Sequence, residues 1–279
     1  MNDSTAAATP RLAFVGGGNM ARSLVGGLLA ADYPASHITV SEPHAQTRAG
    51  LATMGPIRIL NDNAAAVAEA DLVVLAVKPQ VMAEVLAPLR GALEASATVL
   101  LSIAAGITVS MLRRWAGAVP IVRCMPNTPA LVGAGMSALY ATGDVDVAGR
   151  ALASRVLEAG GAVLWLEDEA LMDAVTATSG SGPAYFFRVM EAMIDGACRL
   201  GLPETAARTL VLQTALGAAR MALESDTAPG TLRQQVTSPG GTTAAALAAF
   251  DAEDLAGILT RGMDAAARRS AELARELDR

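Results

Sequence analysis

Leu12-Ala13-Phe14-Val15-Gly16-Gly17-Gly18-Asn19-Met20-Ala21 is the stretch that decides the fold. Four apolar residues make a short strand, and Gly16 to Ala21 then fit the G-x-G-x-x-G/A pattern of a dinucleotide-binding turn. In that pattern the first glycine permits a tight turn and the second lets the backbone approach a pyrophosphate. The small last residue, Ala21, allows close helix–strand packing. The amides that open the following helix then face the pyrophosphate. The pattern alone is weak, since a glycine-rich turn can serve packing only. Its place in the first strand–turn–helix unit gives it weight.

Outward from this turn, short apolar runs recur at 12–15, 38–40, 57–60, 72–77, 98–103 and 121–125, with two more at 136–140 and 162–166. Most residues of each are apolar, as in strands of a parallel sheet covered on both faces. Helical stretches separate most of them, over 20–31, 81–93, 109–115 and 147–158, with Thr108 placed to cap the third. This alternation predicts an α/β doubly wound sheet over residues 1–167. Beyond residue 168 no strand pattern remains. Helical composition covers 184–200, 204–224 and 252–277, broken by turns at 180–183, 201–203 and 239–241. Pro183 and Pro203 stand where helices can begin. A second, all-helical domain over 168–279 is expected.

Composition narrows the function. Hydrophobic residues make up 52% of the 279 and charged residues 17%, which excludes a disordered chain. Aromatics are only 3%, so the core is built from Ala, Val, Leu and Met. A net charge of −6 without any basic, aromatic-interleaved patch excludes nucleic acid as the expected partner. Residues 95–112 and 124–143 are uncharged over a spanning length, but serines, threonines, prolines and glycines interrupt both. They read as buried strands joined by polar turns, and no membrane partner is expected. The first ten residues show no basic segment followed by an apolar one, and Cys124 and Cys198 stand alone. No disulfide framework and no metal site are expected, and a reducing, cytoplasmic location is.

Four further motifs could carry chemistry. Glu42, after the second strand, is the acidic residue that could accept hydrogen bonds from the ribose hydroxyls and repel a 2′-phosphate. Arg48 offers the opposite preference, and a solvated strand end is an equally simple reading. Lys78 is the one lysine in the sequence and falls at the carboxyl end of the fourth strand, the edge where open α/β sheets bind ligands. It reads as a cofactor contact or as a surface charge. Ser238-Pro239-Gly240-Gly241-Thr242-Thr243 precedes an Ala-rich helix, and its exposed amides could hold a carboxylate or simply cap the helix. Ser179-Gly180-Ser181-Gly182-Pro183-Ala184-Tyr185 reads as a turn. His37 and His44 flank the second strand and suit no catalytic base.

Together these segments resemble the pyrroline-5-carboxylate reductase family over nearly the full chain. The likeness rests on 14–20, on Ala76-Val77-Lys78-Pro79, on 102–106 and on Arg123-Cys124-Met125-Pro126-Asn127-Thr128-Pro129. In the second half it rests on 179–185 and on the run 236–243 with Leu247, the most specific of the set. The resemblance implies reduction of the cyclic imine 1-pyrroline-5-carboxylate to L-proline by a Rossmann domain joined to a helical domain. That helical domain is implied to form a homodimer, with dimers commonly assembled into decamers. It further implies NADPH or NADH as cofactor, contacted by Val15, Gly16, Gly17, Gly18, Asn19, Met20, Glu42, Asn63, Ala76, Val77, Lys78, Ala105 and Gln235. The substrate would lie on Ser238, Gly240, Gly241, Thr242 and Thr243 with Glu169 nearby, and Thr243 would stand at the ring nitrogen as the catalytic orienter. Glu42 and Gln235 occupy positions where relatives often carry other residues, which leaves the choice between NADPH and NADH open.

Two related reductases fit less well. A β-hydroxyacid dehydrogenase needs a lysine in its helical domain, and none follows Lys78. A 2-hydroxyacid dehydrogenase wants a histidine beyond the cofactor fold, and none is there. A non-catalytic dinucleotide sensor would not need the 238–243 turn.

Overall fold

A computed structural model describes residues 9–96 and 98–278 of the chain. Among the described residues the strands are β1 (Leu12–Val15), β2 (Ile38–Ser41), β3 (Arg58–Leu60), β4 (Leu72–Leu75), β5 (Val99–Ser102), β6 (Ile121–Met125), β7 (Gly135–Ala141) and β8 (Gly161–Leu166). They form one sheet in the order β3-β2-β1-β4-β5-β6-β7-β8. The first six are mutually parallel, β7 is antiparallel to β6, and β8 is parallel to β7. The strand order reverses between β1 and β4, so the crevice beyond their carboxyl ends is where such a sheet binds ligands.

Helices α1 (Asn19–Ala30), α2 (Ala45–Ala52), α3 (Asn63–Val67), α4 (Met82–Leu86), α5 (Arg90–Ala95), α6 (Val109–Ala116) and α7 (Val147–Glu158) lie between the strands. Alternate strand residues point to opposite faces. Leu12, Phe14, Leu72 and Val74 pack with Leu24, Val25, Leu28, Val156 and Leu157 of α1 and α7. Ala13, Val15, Val73 and Leu75 pack with Met82, Leu86, Leu93, Met111 and Leu112 of α4 to α6. Both faces are therefore covered, which is why β1 and β4 are apolar at every position. Burial pushes the Cys124 thiol up, so it stays protonated and serves as core.

Two departures from the sequence reading have a local cause. The fourth strand ends at Leu75 and not at Val77, because its neighbours end there too: Leu75 pairs with Val15 and with Ser102, the last residues of β1 and β5. Ala76 to Lys78 are thereby released as a loop. The run over 81–93 is not one helix, since a 3₁₀ turn (Ala87–Leu89) separates α4 from α5. Pro88 at that turn has no N–H to give a continuous helix.

The chain divides into two compact units, one of residues up to Gly180 together with those from Ala266 on, the other Ser181–Ala265. The division falls later than the 167/168 boundary expected from sequence. The stretch between the expected and the observed boundary holds α8 (Met172–Val175) and a π-helical turn (Thr176–Gly180), both tied into the first unit. Asn127 Nδ2 donates to the Ser179 carbonyl at 3.1 Å, and Ser270 Oγ donates to Asp173 Oδ1 at 2.6 Å. The second unit is helical: α9 (Gly182–Arg199), α10 (Glu204–Leu223), α11 (Pro229–Gln235), α12 (Thr242–Ala252) and the first part of α13 (Leu255–Leu277). Its apolar residues are largely uncovered. Ala207 and Val211 are buried, whereas Phe186, Phe187, Leu210, Leu216 and Phe250 are exposed. No helix among the described residues is long and apolar enough to cross a membrane.

Candidate active site

Three chain reversals meet at the carboxyl edge of β1, β2 and β4. Gly16 has φ +100°, and a Cβ there would stand 2.6 Å from the Ala76 carbonyl oxygen, so only glycine fits. Its N–H donates to Ser41 O at 2.8 Å, and the Ala76 N–H donates to Val15 O at 2.8 Å. The ends of three strands are thus stitched together around the fingerprint. At Gly18, the residue before α1, no described atom beyond its chain neighbours lies within 4 Å of where a Cβ would be. Gly18 also brings no side-chain acceptor to the first amides of α1, which leaves those of Asn19 and Met20 for a ligand. Open space beside unsatisfied amides at a helix N-terminus suits a pyrophosphate. The residues present fit a dinucleotide.

Glu42 is 7% exposed, which excludes the reading of a solvated strand end. Its Oε2 accepts the Gly17 N–H and its Oε1 accepts the His44 N–H, each at 2.9 Å. The carboxylate is therefore fixed on the fingerprint itself. Arg48 is anchored at the same place, its Nη1 donating to the carbonyls of Glu42 and Pro43 at 2.8 and 2.6 Å. Asn63 opens α3, and its Oδ1 accepts from Ser41 Oγ at 2.6 Å, which sets the orientation of its amide. Lys78 is exposed and extended, as a residue before proline prefers to be. Ala105 is exposed on the loop that leaves β5.

Glu169 lies in the first unit, on a 3₁₀ turn (Glu169–Leu171). Its Oε1 accepts from Arg123 Nη1 at 2.7 Å and from the Val109 N–H at 2.9 Å. Arg123, on β6, is 7% exposed, and the sequence reading assigned it no role. The signal was present, since a cation inside an otherwise apolar strand run must find a buried partner.

In the second unit, the Gly241 N–H donates to Ser238 O at 3.0 Å and Gly240 takes φ +71°, closing a tight turn. Gly241 caps α12 without a side-chain acceptor, so the amides of the first turn are open to an anion. Ser238, Gly240, Thr242 and Thr243 are exposed there, as is Gln235 at the end of α11. The structure thus gathers Val15 to Met20, Glu42, Asn63, Ala76 to Lys78 and Ala105 along one sheet edge of the first unit. Gln235 and the 238–243 turn belong to the second. The break at 179–185 is the end of the π-helical turn and the start of α9, with the hydroxyls of Ser179 and Tyr185 buried and without a partner among the described residues.

Residues 11–106 match the family model of NADP oxidoreductases, coenzyme F420-dependent, and residues 169–273 match that of pyrroline-5-carboxylate reductase dimerisation. A pyrroline-5-carboxylate reductase of Pseudomonas aeruginosa is 52% identical, over 96% of this chain and 98% of its own. Among solved structures, a pyrroline-5-carboxylate reductase of Coxiella burnetii superposes with a TM-score of 0.92 at 40% identity, covering 95% of this chain and 98% of that one. Pyrroline carboxylate reductase of Plasmodium falciparum, solved with NADP bound, gives 0.83 at 28% identity, covering 95% and 98%.

Proposed function

The chain belongs to the pyrroline-5-carboxylate reductase family and is an oxidoreductase that reduces 1-pyrroline-5-carboxylate to L-proline with NADPH or NADH, and we propose that its two units divide this work. The first unit holds the dinucleotide on Val15 to Met20, Glu42, Asn63, Ala76 to Lys78 and Ala105. The turn of the second unit, Ser238 to Thr243, holds the substrate's carboxylate. Gln235 stands beside this turn in sequence and contributes on the cofactor side. In function the division remains 1–167 for the dinucleotide and 168–279 for substrate and dimerisation. The observation that supports this reading most is the open, amide-lined space at Gly18, on a chain so similar to known reductases along its whole length.

The bound dinucleotide supplies the hydride that the imine carbon receives. The chain's own task is to hold both partners in line, and correct positioning alone can supply an effective concentration on the order of 10⁵–10⁸ M. Gly241, Thr242 and Thr243 offer amides at the positive end of α12 to the substrate's carboxylate. The Thr243 hydroxyl orients the ring nitrogen, which can arrive protonated or take its proton from water or a hydroxyl. Lys78, as the one lysine, serves by its charge toward dinucleotide or substrate anion.

The proposal extends to a cytoplasmic homodimer built through the helical half, with dimers assembled into a decamer. Gly241→Val tests the division of labour. Substrate use should fall by at least about tenfold, the loss expected when hydrogen bonds to a charged group worth about 1.5–3 kcal/mol are removed. Dinucleotide affinity should be nearly unchanged. Equal loss of both in a folded variant would make the turn structural.

A further inference from the structure

Glu169, expected near the substrate, has one carboxylate oxygen held within the first unit. Arg123 pairs in register with Ser102, the last residue of β5, where the loop 103–108 leaves the sheet. That loop carries Ala105 and ends at Thr108, which caps α6 by accepting the Met111 N–H at 3.3 Å. The Val109 N–H is the first amide of α6 and has no acceptor within the helix. Glu169 accepts it, with the same oxygen that meets Arg123. The arginine thus fixes the carboxylate, and the carboxylate fixes the start of the helix.

The rest of the loop is pinned as well. The Ile103 N–H donates to Leu75 O at 3.3 Å, and the Ala104 N–H donates to Ser102 Oγ at 3.4 Å. On the far side Leu277 Cδ1 stands 3.2 Å from where a Cβ on Gly106 would be. Only the middle of the loop, at Ala105, is exposed, and it lies at the same sheet edge as Ala76 to Lys78. We propose that Glu169, held by Arg123, is a positioning residue that fixes the 103–108 loop for the dinucleotide and acts on the reaction through that loop. The inference rests on the dinucleotide site proposed above. Charge supports it too. A carboxylate neutralised by arginine neither repels the substrate's carboxylate nor needs to touch it.

Calorimetric titration of NADPH into the full-length protein without imine tests this in wild type, Glu169→Ala and Glu169→Gln. The alanine variant should raise the NADPH dissociation constant about tenfold, since a hydrogen bond to a charged group is worth about 1.5–3 kcal/mol. The glutamine variant keeps an acceptor for the Val109 N–H and should fall between, and it carries the test if the alanine variant does not fold. At saturating NADPH, the KM for the imine should stay within about twofold, because no substrate contact is lost. Unchanged NADPH affinity in a folded variant overturns the proposal, as does a raised imine KM with intact NADPH binding. Failure of wild type to bind NADPH would instead sink the underlying site assignment.

Discussion

Glu42 shows how one side chain can serve fold and selectivity together. Its two oxygens each accept a backbone N–H, from Gly17 and from His44, so the negative charge is held against the fingerprint turn. A dinucleotide seated on that turn would bring its ribose near this charge, and a 2′-phosphate would meet repulsion. Glu42→Ser should therefore move the ratio of catalytic efficiencies toward NADPH, by about tenfold if one charged interaction is removed. Parallel kinetics with both cofactors give the answer. Because serine also gives up the Gly17 anchor, both efficiencies can fall, and only their ratio is diagnostic. An unchanged ratio would mean that Glu42 serves the turn alone. The residue could be chosen from sequence because it follows the second strand of a fingerprint unit. Its burial could not, since that depends on Gly17 being folded back over it.

At the scale of elements, α1 records how closely helix and neighbouring chain approach. Two adjacent glycines within it face different surroundings. A Cβ on Gly26 would meet only Met54 Cε at 3.6 Å, an ordinary contact, whereas one on Gly27 would run into the Ala159 backbone. Alanine is the better helix former by about 1 kcal/mol, so Gly26→Ala should stabilise or leave stability unchanged. Gly27→Ala should destabilise by about 1–3 kcal/mol, because overpacking a close contact outweighs the helical gain. Urea midpoints of the two variants check the pair, and equal shifts would contradict it. All eight strands were legible as largely apolar runs, most clearly the central β1 and β4, which are covered on both faces. Features set by distant partners were not. The end of β4 is dictated by where β1 and β5 stop, and the Arg123–Glu169 pair joins residues 46 apart in sequence. Glu169 could be named, but its role could not, because its partner sat inside a strand run that otherwise reads as core.

On the scale of the whole molecule, the two units are unequally supplied with interior. The sheet unit buries a core on both of its faces, while Ser181–Ala265 leaves Phe186, Phe187, Leu210, Leu216 and Phe250 exposed. Each such side chain covered by a partner contributes about 1.5–3 kcal/mol, and residues 169–273 match a dimerisation model. Sedimentation at micromolar concentration should show no monomer; a purely monomeric species would contradict the dimer. The resemblance at 236–243 pointed to the substrate site, although the amide geometry of that turn emerges only from Gly240 at positive φ and Gly241 at the start of α12. Reduction of a cyclic imine by a nicotinamide dinucleotide is the reaction this chain carries out. Its most direct test is the purified protein mixed with 1-pyrroline-5-carboxylate and NADPH or NADH, following dinucleotide oxidation and proline formation together. The account predicts equimolar proline and oxidised dinucleotide, abolished by omitting the imine. Dinucleotide oxidation without proline, or no imine-dependent oxidation with either cofactor, would contradict it.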